Sequence, residues 1–152
     1  MPTVNPTAEA RRDAAAEPDH ADVNYRTLAE FRFALRKFLA FSEAAAADAG
    51  LTSQQHQALL AVKGFSEVGA MSIRDLAARL LLRHHSVVEL IDRLVKLQLV
   101  ARMPDPQDGR RVLIGLTDAG ERHLRELSAV HLRELRAIGS SLSTVLNEFR
   151  LG

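Results

Sequence analysis

The side chains best suited to chemistry are cations and small polar groups spaced so that they can donate to anions. In the stretch His84-His85-Ser86-Val87-Val88-Glu89-Leu90-Ile91-Asp92-Arg93-Leu94-Val95-Lys96-Leu97, we place successive residues about 100° apart, as on a helix. His85, Ser86, Glu89, Arg93 and Lys96 then share one side, and Val87, Leu90, Ile91, Leu94 and Leu97 the other. A second pair of cations, Arg110 and Arg111, follows in the polar loop Met103–Arg111. Guanidinium, imidazole and hydroxyl groups donate to phosphate oxygens and to acceptors on base edges. A helix N-terminus adds free backbone N–H groups to the same task. Catalysis is not indicated. There is no cysteine to serve as nucleophile, zinc ligand or redox sensor. No Ser-His-Asp or paired-carboxylate arrangement stands out, and the acids fall mostly at capping or ion-pair positions.

The elements that must hold these groups can be read around them. A short helix, Ser72–Leu82, precedes the stripe, and Leu99–Arg102 and Val112–Leu116 read as two strands around the polar loop. Helix, turn, helix and a two-stranded ribbon with an Arg-rich tip is the order of a winged helix-turn-helix. From Met71 to Thr117, eight Lys/Arg stand against five acids, whereas the whole chain has a net charge of only +1. Positive charge therefore gathers where a phosphate-facing motif would need it. The 152 residues, 47% of them hydrophobic, suit one domain with a real core. No apolar run approaches the roughly 20 residues of a membrane span, and no secretory signal core opens the chain. A cytoplasmic protein without membrane contact is expected.

Residues 1–24, with Pro2, Pro6 and Pro18 and few large apolar groups, read as a mobile tail, Arg11 and Arg12 included. Tyr25–Ala49 carries Leu28, Phe31, Leu35, Phe38 and Phe41 at helical spacing, and Gly50 ends it. That apolar face is wide enough to meet another subunit as well as the core. Thr52 with Gln55, and Ser72 with Asp75, form two capping boxes, with Met71 and Leu76 as a hydrophobic staple over the second. Pro104 and Pro106 oppose regular structure in the loop, and Asp108-Gly109 is a turn dipeptide. Thr117 is an N-cap for a closing helix over Asp118–Ala137. Its apolar spacing continues through Ile138, Leu142, Val145 and Phe149, with a kink or break at Gly139-Ser140-Ser141.

From Tyr25 onward, this order of parts resembles the MarR family of bacterial transcription regulators. The most specific stretch is Asp105-Pro106-Gln107-Asp108-Gly109-Arg110-Arg111-Val112-Leu113-Ile114-Gly115-Leu116-Thr117-Asp118-Ala119-Gly120, which resembles the family's wing and its Leu-Thr-x-x-Gly entry into the next helix. Ile91-Asp92-Arg93-Leu94 followed by Leu99-Val100 resembles the end of its recognition helix. One departure is Gln98, where members often carry Gly; a left-handed turn is strained there without glycine, so a turn of different shape is expected.

The expected fold is mainly α: residues 25–50 and 118–152 as dimerisation helices, flanking a winged helix-turn-helix lobe over 51–117 with a two-stranded wing. The resemblance implies a homodimer that binds a pseudo-palindromic double-stranded DNA operator, as a repressor released by a small ligand. Several members sense phenolic compounds. On this reading His85, Ser86, Glu89 and Arg93 face the major groove, and His84 lies near the backbone. Arg93 can serve guanine or phosphate, and Glu89 can accept from cytosine N4 or pair with Arg93. Ser72 and Arg74 are phosphate candidates. By the family's Asp-x-Arg pattern Asp108 would pair with Arg110 and orient it toward a minor groove, while Arg111 takes phosphate or the opposite side of the ribbon. An effector pocket between the dimerisation helices and the lobe would draw on Phe38, Phe41, His56, Leu60 and His131. No cofactor or metal site is expected, since ordinary packing accounts better for His123 and His131. The rival to this reading is a winged-helix module that binds protein rather than specific DNA.

Overall fold

Most helices begin or end where the sequence supplies a cap, and those caps set the frame for the site. The computed structural model describes residues 24–65 and 69–148. Of the expected tail, 1–24, only Asn24 lies within the described residues, and Phe149 lies outside them. The Asn24 side chain accepts from the Thr27 N–H and opens α1, Tyr25–Asp48. Gly50, at φ +75°, closes α1. The Leu51 and Gly50 N–H groups return to the Ala46 and Ala47 carbonyls, which is the Schellman arrangement. Both arms of the Thr52–Gln55 box form, at 3.2 and 2.9 Å, and open α2, Ser53–Phe65.

The winged lobe follows. A short strand β1, Ala70–Ser72, leads into α3, Ile73–Leu80. Next come α4, His84–Lys96, then β2, Val100–Pro104, and β3, Val112–Leu116. The sheet is antiparallel in the order β1-β3-β2, with Met71 opposite Ile114 and Ala101 opposite Gly115. It has three strands where two were expected. Three residues are too few to show alternation, and all three of β1 are buried, so its pattern carries no strand signal. Pro104 belongs to β2, opposite Val112. An edge strand tolerates proline because its missing N–H can face outward. Leu59, Leu76, Ile91, Leu94 and Ile114 are the large, fully buried side chains of the core. Leu97, expected on the inner side of α4, is the C-cap and half exposed.

Turn residues at both ends of α4 take positive φ: Leu81 at 54° and Gln98 at 58°. The Gln98 turn therefore keeps the left-handed shape that its lack of glycine argued against. The Leu99 N–H donates to Leu94 O at 3.0 Å and the Gln98 N–H to Val95 O at 2.9 Å. These bonds hold a conformation that an L-residue resists by about 1–2 kcal/mol. Thr117 then seats the last helix on this turn: its hydroxyl donates to Gln98 O at 2.6 Å, accepts from the Gly120 N–H at 3.0 Å, and its N–H donates to Leu99 O. A Cβ on Gly120 would lie 2.0 Å from Leu99 O. The Leu-Thr-x-x-Gly signature is thus a cap plus a close backbone approach.

Helix α5, Asp118–Glu148, is continuous through Gly139, contrary to the expected kink. One interior glycine costs only about 1 kcal/mol, and α5 is tied to α1 on both sides of that point. Ser42 on α1 bonds His131, and the Thr27 hydroxyl donates to Glu148 at 2.5 Å. No helix among the described residues is long and apolar enough to cross a membrane.

Candidate nucleic-acid interface

Helix α4 buries Val87, Leu90, Ile91 and Leu94 and leaves His84, His85, Glu89, Arg93 and Lys96 exposed, with Ser86 half-buried. Its N-cap, Arg83, makes no side-chain capping bond, so the first turn keeps N–H groups free to donate outward. The Asp92 carboxylate holds Arg102 of β2 at 2.6 Å and so fastens α4 to the wing. Glu89 and Arg93 form no ion pair with each other among the described residues. The Arg93 guanidinium stands exposed and without a carboxylate partner among the described residues, as does that of Arg74 on α3. Ser72 is buried, and its hydroxyl is engaged in the cap: it accepts from the Asp75 N–H and donates to the Asp75 carboxylate at 2.6 Å.

The wing tip is organised by its acids. Asp105 accepts from the Gln107 N–H at 2.8 Å, and Asp108 from the Arg110 N–H at 3.1 Å. Asp108 thus serves the Arg110 backbone rather than its guanidinium, which the Asp-x-Arg pattern had implied. The Arg110 side chain remains exposed and unpaired among the described residues. Arg111 turns toward α3, 3.7 Å from Asp105 and 4.0 Å from Asp75, so the opposite side of the ribbon is its place. Sequence reasoning missed both pairs: Asp92–Arg102 is set by how α4 lies beside β2, and Asp105–Arg111 by the β2–β3 register.

A second cluster lies between α1, α2 and α5. His131 packs at 4.6 Å between ring centroids against His56, and the edges of Phe38 and Phe41 meet it at 6.1 and 5.8 Å. Its Nδ1 is 2.7 Å from Leu127 O, a pure acceptor, so Nδ1 carries the proton. In the neutral ring Nε2 then accepts from the Ser42 hydroxyl, also at 2.7 Å. Both nitrogens of His56 are buried with no hydrogen-bond partner. Burial, and then the charge of His131, lower the His56 pKa below its usual 6.5. Leu60 stays half exposed, outside this cluster. Ser42 was not anticipated; a small polar residue inside the α1 apolar stripe was its only signal. His123 is half-buried, and no three His, Cys, Asp or Glu converge as metal ligands among the described residues.

A helix-turn-helix whose second helix exposes a polar, cationic stripe beside an Arg-tipped wing defines the class of winged-helix regulators. Residues 49–111 match the model of the MarR family, and over that stretch the chain is similar to that family's winged-helix regulators. Over 77 residues it is 36% identical to the Bacillus subtilis (strain 168) protein "Uncharacterized HTH-type transcriptional regulator YsmB", covering 51% of this chain and 53% of that one. The chain thus spans about half the length of the curated relatives it matches. Among solved structures it resembles CouR from Rhodococcus jostii RHA1 bound to p-coumaroyl-CoA, at TM-score 0.64 and 27% identity over 75% of this chain and 79% of that one. It also shares the fold of a mutant S. aureus MepR bound to an oligodeoxyribonucleotide, at TM-score 0.62 and 24% identity over 85% and 91% of the two chains.

Proposed function

We propose that the chain binds double-stranded DNA as a homodimeric transcriptional repressor on a pseudo-palindromic operator. The observation that carries this reading is a division among the arginines. Arg102 and Arg111 are held by carboxylates, whereas Arg93 on the outer face of α4 and Arg110 at the wing tip are left exposed with none. His85, Ser86 and Glu89 enter the major groove with Arg93, while Arg110 reaches the adjoining minor groove. Arg74 and His84 serve phosphate.

The homodimer is supported by apolar surface that one chain leaves open. Phe33 and Leu39 on α1 are each 53% exposed, and Leu132 and Leu146 on α5 lie bare as well. A second copy would cover these faces and set the two α4 helices one helical repeat apart, about 34 Å. Release by a small aromatic effector rests on the His56–His131 cluster. Two unpartnered ring nitrogens on buried His56, packed against His131, are an unusual cost to leave standing, and the solved relative CouR is bound to p-coumaroyl-CoA.

The test is fluorescence anisotropy with DNA from the chain's own upstream region and a scrambled control, across a salt series, for the parent and Arg93→Ala. Preference for the upstream DNA that is lost in Arg93→Ala, with a steep fall in affinity as salt rises, is the expected result. Absence of any preferred sequence, even from genome-wide selection, would instead favour the protein-binding module.

A further inference from the structure

The run Ala44-Ala45-Ala46-Ala47 near the end of α1 is not used by the DNA-facing stripe. Ala44 and Ala45 of this run, with Ala49, line a groove of about 340 Å³ between α1 and α5, together with Phe41, Leu127 and Val130. Two carboxylates, Asp48 and Glu126, line it, and no lysine or arginine does. Neither acid has an ion-pair partner among the described residues. Asp48 is also placed against the local rule. It ends a helix whose last turn holds no basic residue, where the partial negative charge of the helix C-terminus disfavours an anion. Local choices that run against the backbone's own preference mark positions kept for another purpose.

We infer that this groove is a binding site for a small lipophilic organic cation. The alanines and Val130 take its hydrocarbon part. Phe41 adds an aromatic wall, and Asp48, Glu126 and the α1 C-terminus supply three sources of negative potential around the charge. An anion of the same size meets that potential with the wrong sign. The volume suits a ligand at the small end of the range usual for protein pockets. The site is distinct from the His56–His131 cluster, sharing only Phe41 with it, and its occupant is selected by charge rather than by hydrogen bonding to imidazole.

The probe is benzyltrimethylammonium, compared with its uncharged carbon isostere neopentylbenzene and with benzoate. Binding is followed on the full chain by amide chemical-shift changes, without DNA, so the outcome does not depend on operator recognition. Expected are saturable shifts at Ala44, Ala45 and Val130, with the cation about tenfold tighter than the isostere. The doubly substituted Asp48→Asn, Glu126→Gln protein should lose that preference while still binding the isostere. Ala44→Leu, at an exposed helical position, should fill the groove and abolish both without loss of fold, checked by its thermal melt. Equal affinity for cation and isostere would overturn the inference. So would tighter binding of benzoate, shifts elsewhere, or unaltered binding in folded Ala44→Leu.

Discussion

Replacing His56 by leucine should stabilise the protein, although it alters a buried side chain. Both His56 ring nitrogens lack a hydrogen-bond partner. A buried polar group left in that state costs about 1–3 kcal/mol. Leucine fills similar space with no polar atom and favours the α2 helix, so that cost is recovered. Against it stands the packing of His56 on His131, whose rings lie 4.6 Å apart; such ring pairs contribute about 0.5–1.5 kcal/mol. The net gain is about 1 kcal/mol, or a rise in Tm of about 2–4 °C for a chain of this size. The pH dependence has a definite sign. Burial first, and the charge of His131 second, hold the His56 pKa in the folded protein below the 6.5 of the free side chain. On acidification the unfolded chain therefore takes up its proton first. His56 then costs stability progressively as pH falls below 6.5, until the folded pKa is passed. Above that window it costs nothing through protonation. The advantage of His56→Leu should thus widen between pH 8 and pH 5, read by urea melts at each pH. A variant less stable than the parent at pH 8, or one with the parent's pH slope, would refute the reasoning: His56 would then have a partner that compensates its burial. If the cluster is also the effector site, His56→Leu should still bind operator but no longer release it.

Other consequences can be measured alongside. Gly120→Ala places a methyl 2.0 Å from Leu99 O, which is backbone and cannot swing away; a loss of about 3 kcal/mol or more is expected in urea melts. Gly139→Ala, with nothing within 4 Å of the new Cβ, should instead gain about 0.5–1 kcal/mol, because the helix is unbroken there. Arg110→Ala should weaken operator binding and flatten its salt slope, whereas Arg111→Ala, already paired with Asp105, should leave the slope nearly unchanged. Equal effects of the two would remove the distinction drawn between them. Leu39→Glu, at a side chain 53% exposed in the single chain, should yield a folded monomer in sedimentation that no longer binds a two-half-site operator.

How much of this could be read beforehand depended on the range of the interaction. The Thr52–Gln55 box, the Gly50 cap and the inner face of α4 through Leu94 are decided within one or two turns of chain, and each appears as its spacing implies. The strand Val112–Leu116 forms over its expected bounds, but Val112 is exposed while Leu113, Ile114 and Gly115 are all buried, so its alternation does not hold. Strand β1 escaped notice because it exists only through β3, which it meets in a register of three residues. Gly139 misled in the other direction: its propensity argued for a break, but packing of α5 along α1 outweighs the small penalty.

The arginines show the same limit at the site itself. Arg110 and Arg111 are neighbours of identical chemistry, and no local rule separates them. Their divergence follows from the β2–β3 ladder, which sets Pro104 opposite Val112 and so brings Asp105 beside the start of β3. Arg110 lies in the turn and Arg111 at the bend just before β3, and it is the Arg111 side chain that turns to Asp105 and Asp75. That of Arg110 stays exposed. Asp108, by capping the Arg110 N–H, fixes the turn that makes this choice without touching the guanidinium it leaves free. A pattern read as an ion pair is thus a backbone device. It presents a cation to solvent where the proposed minor-groove contact requires one.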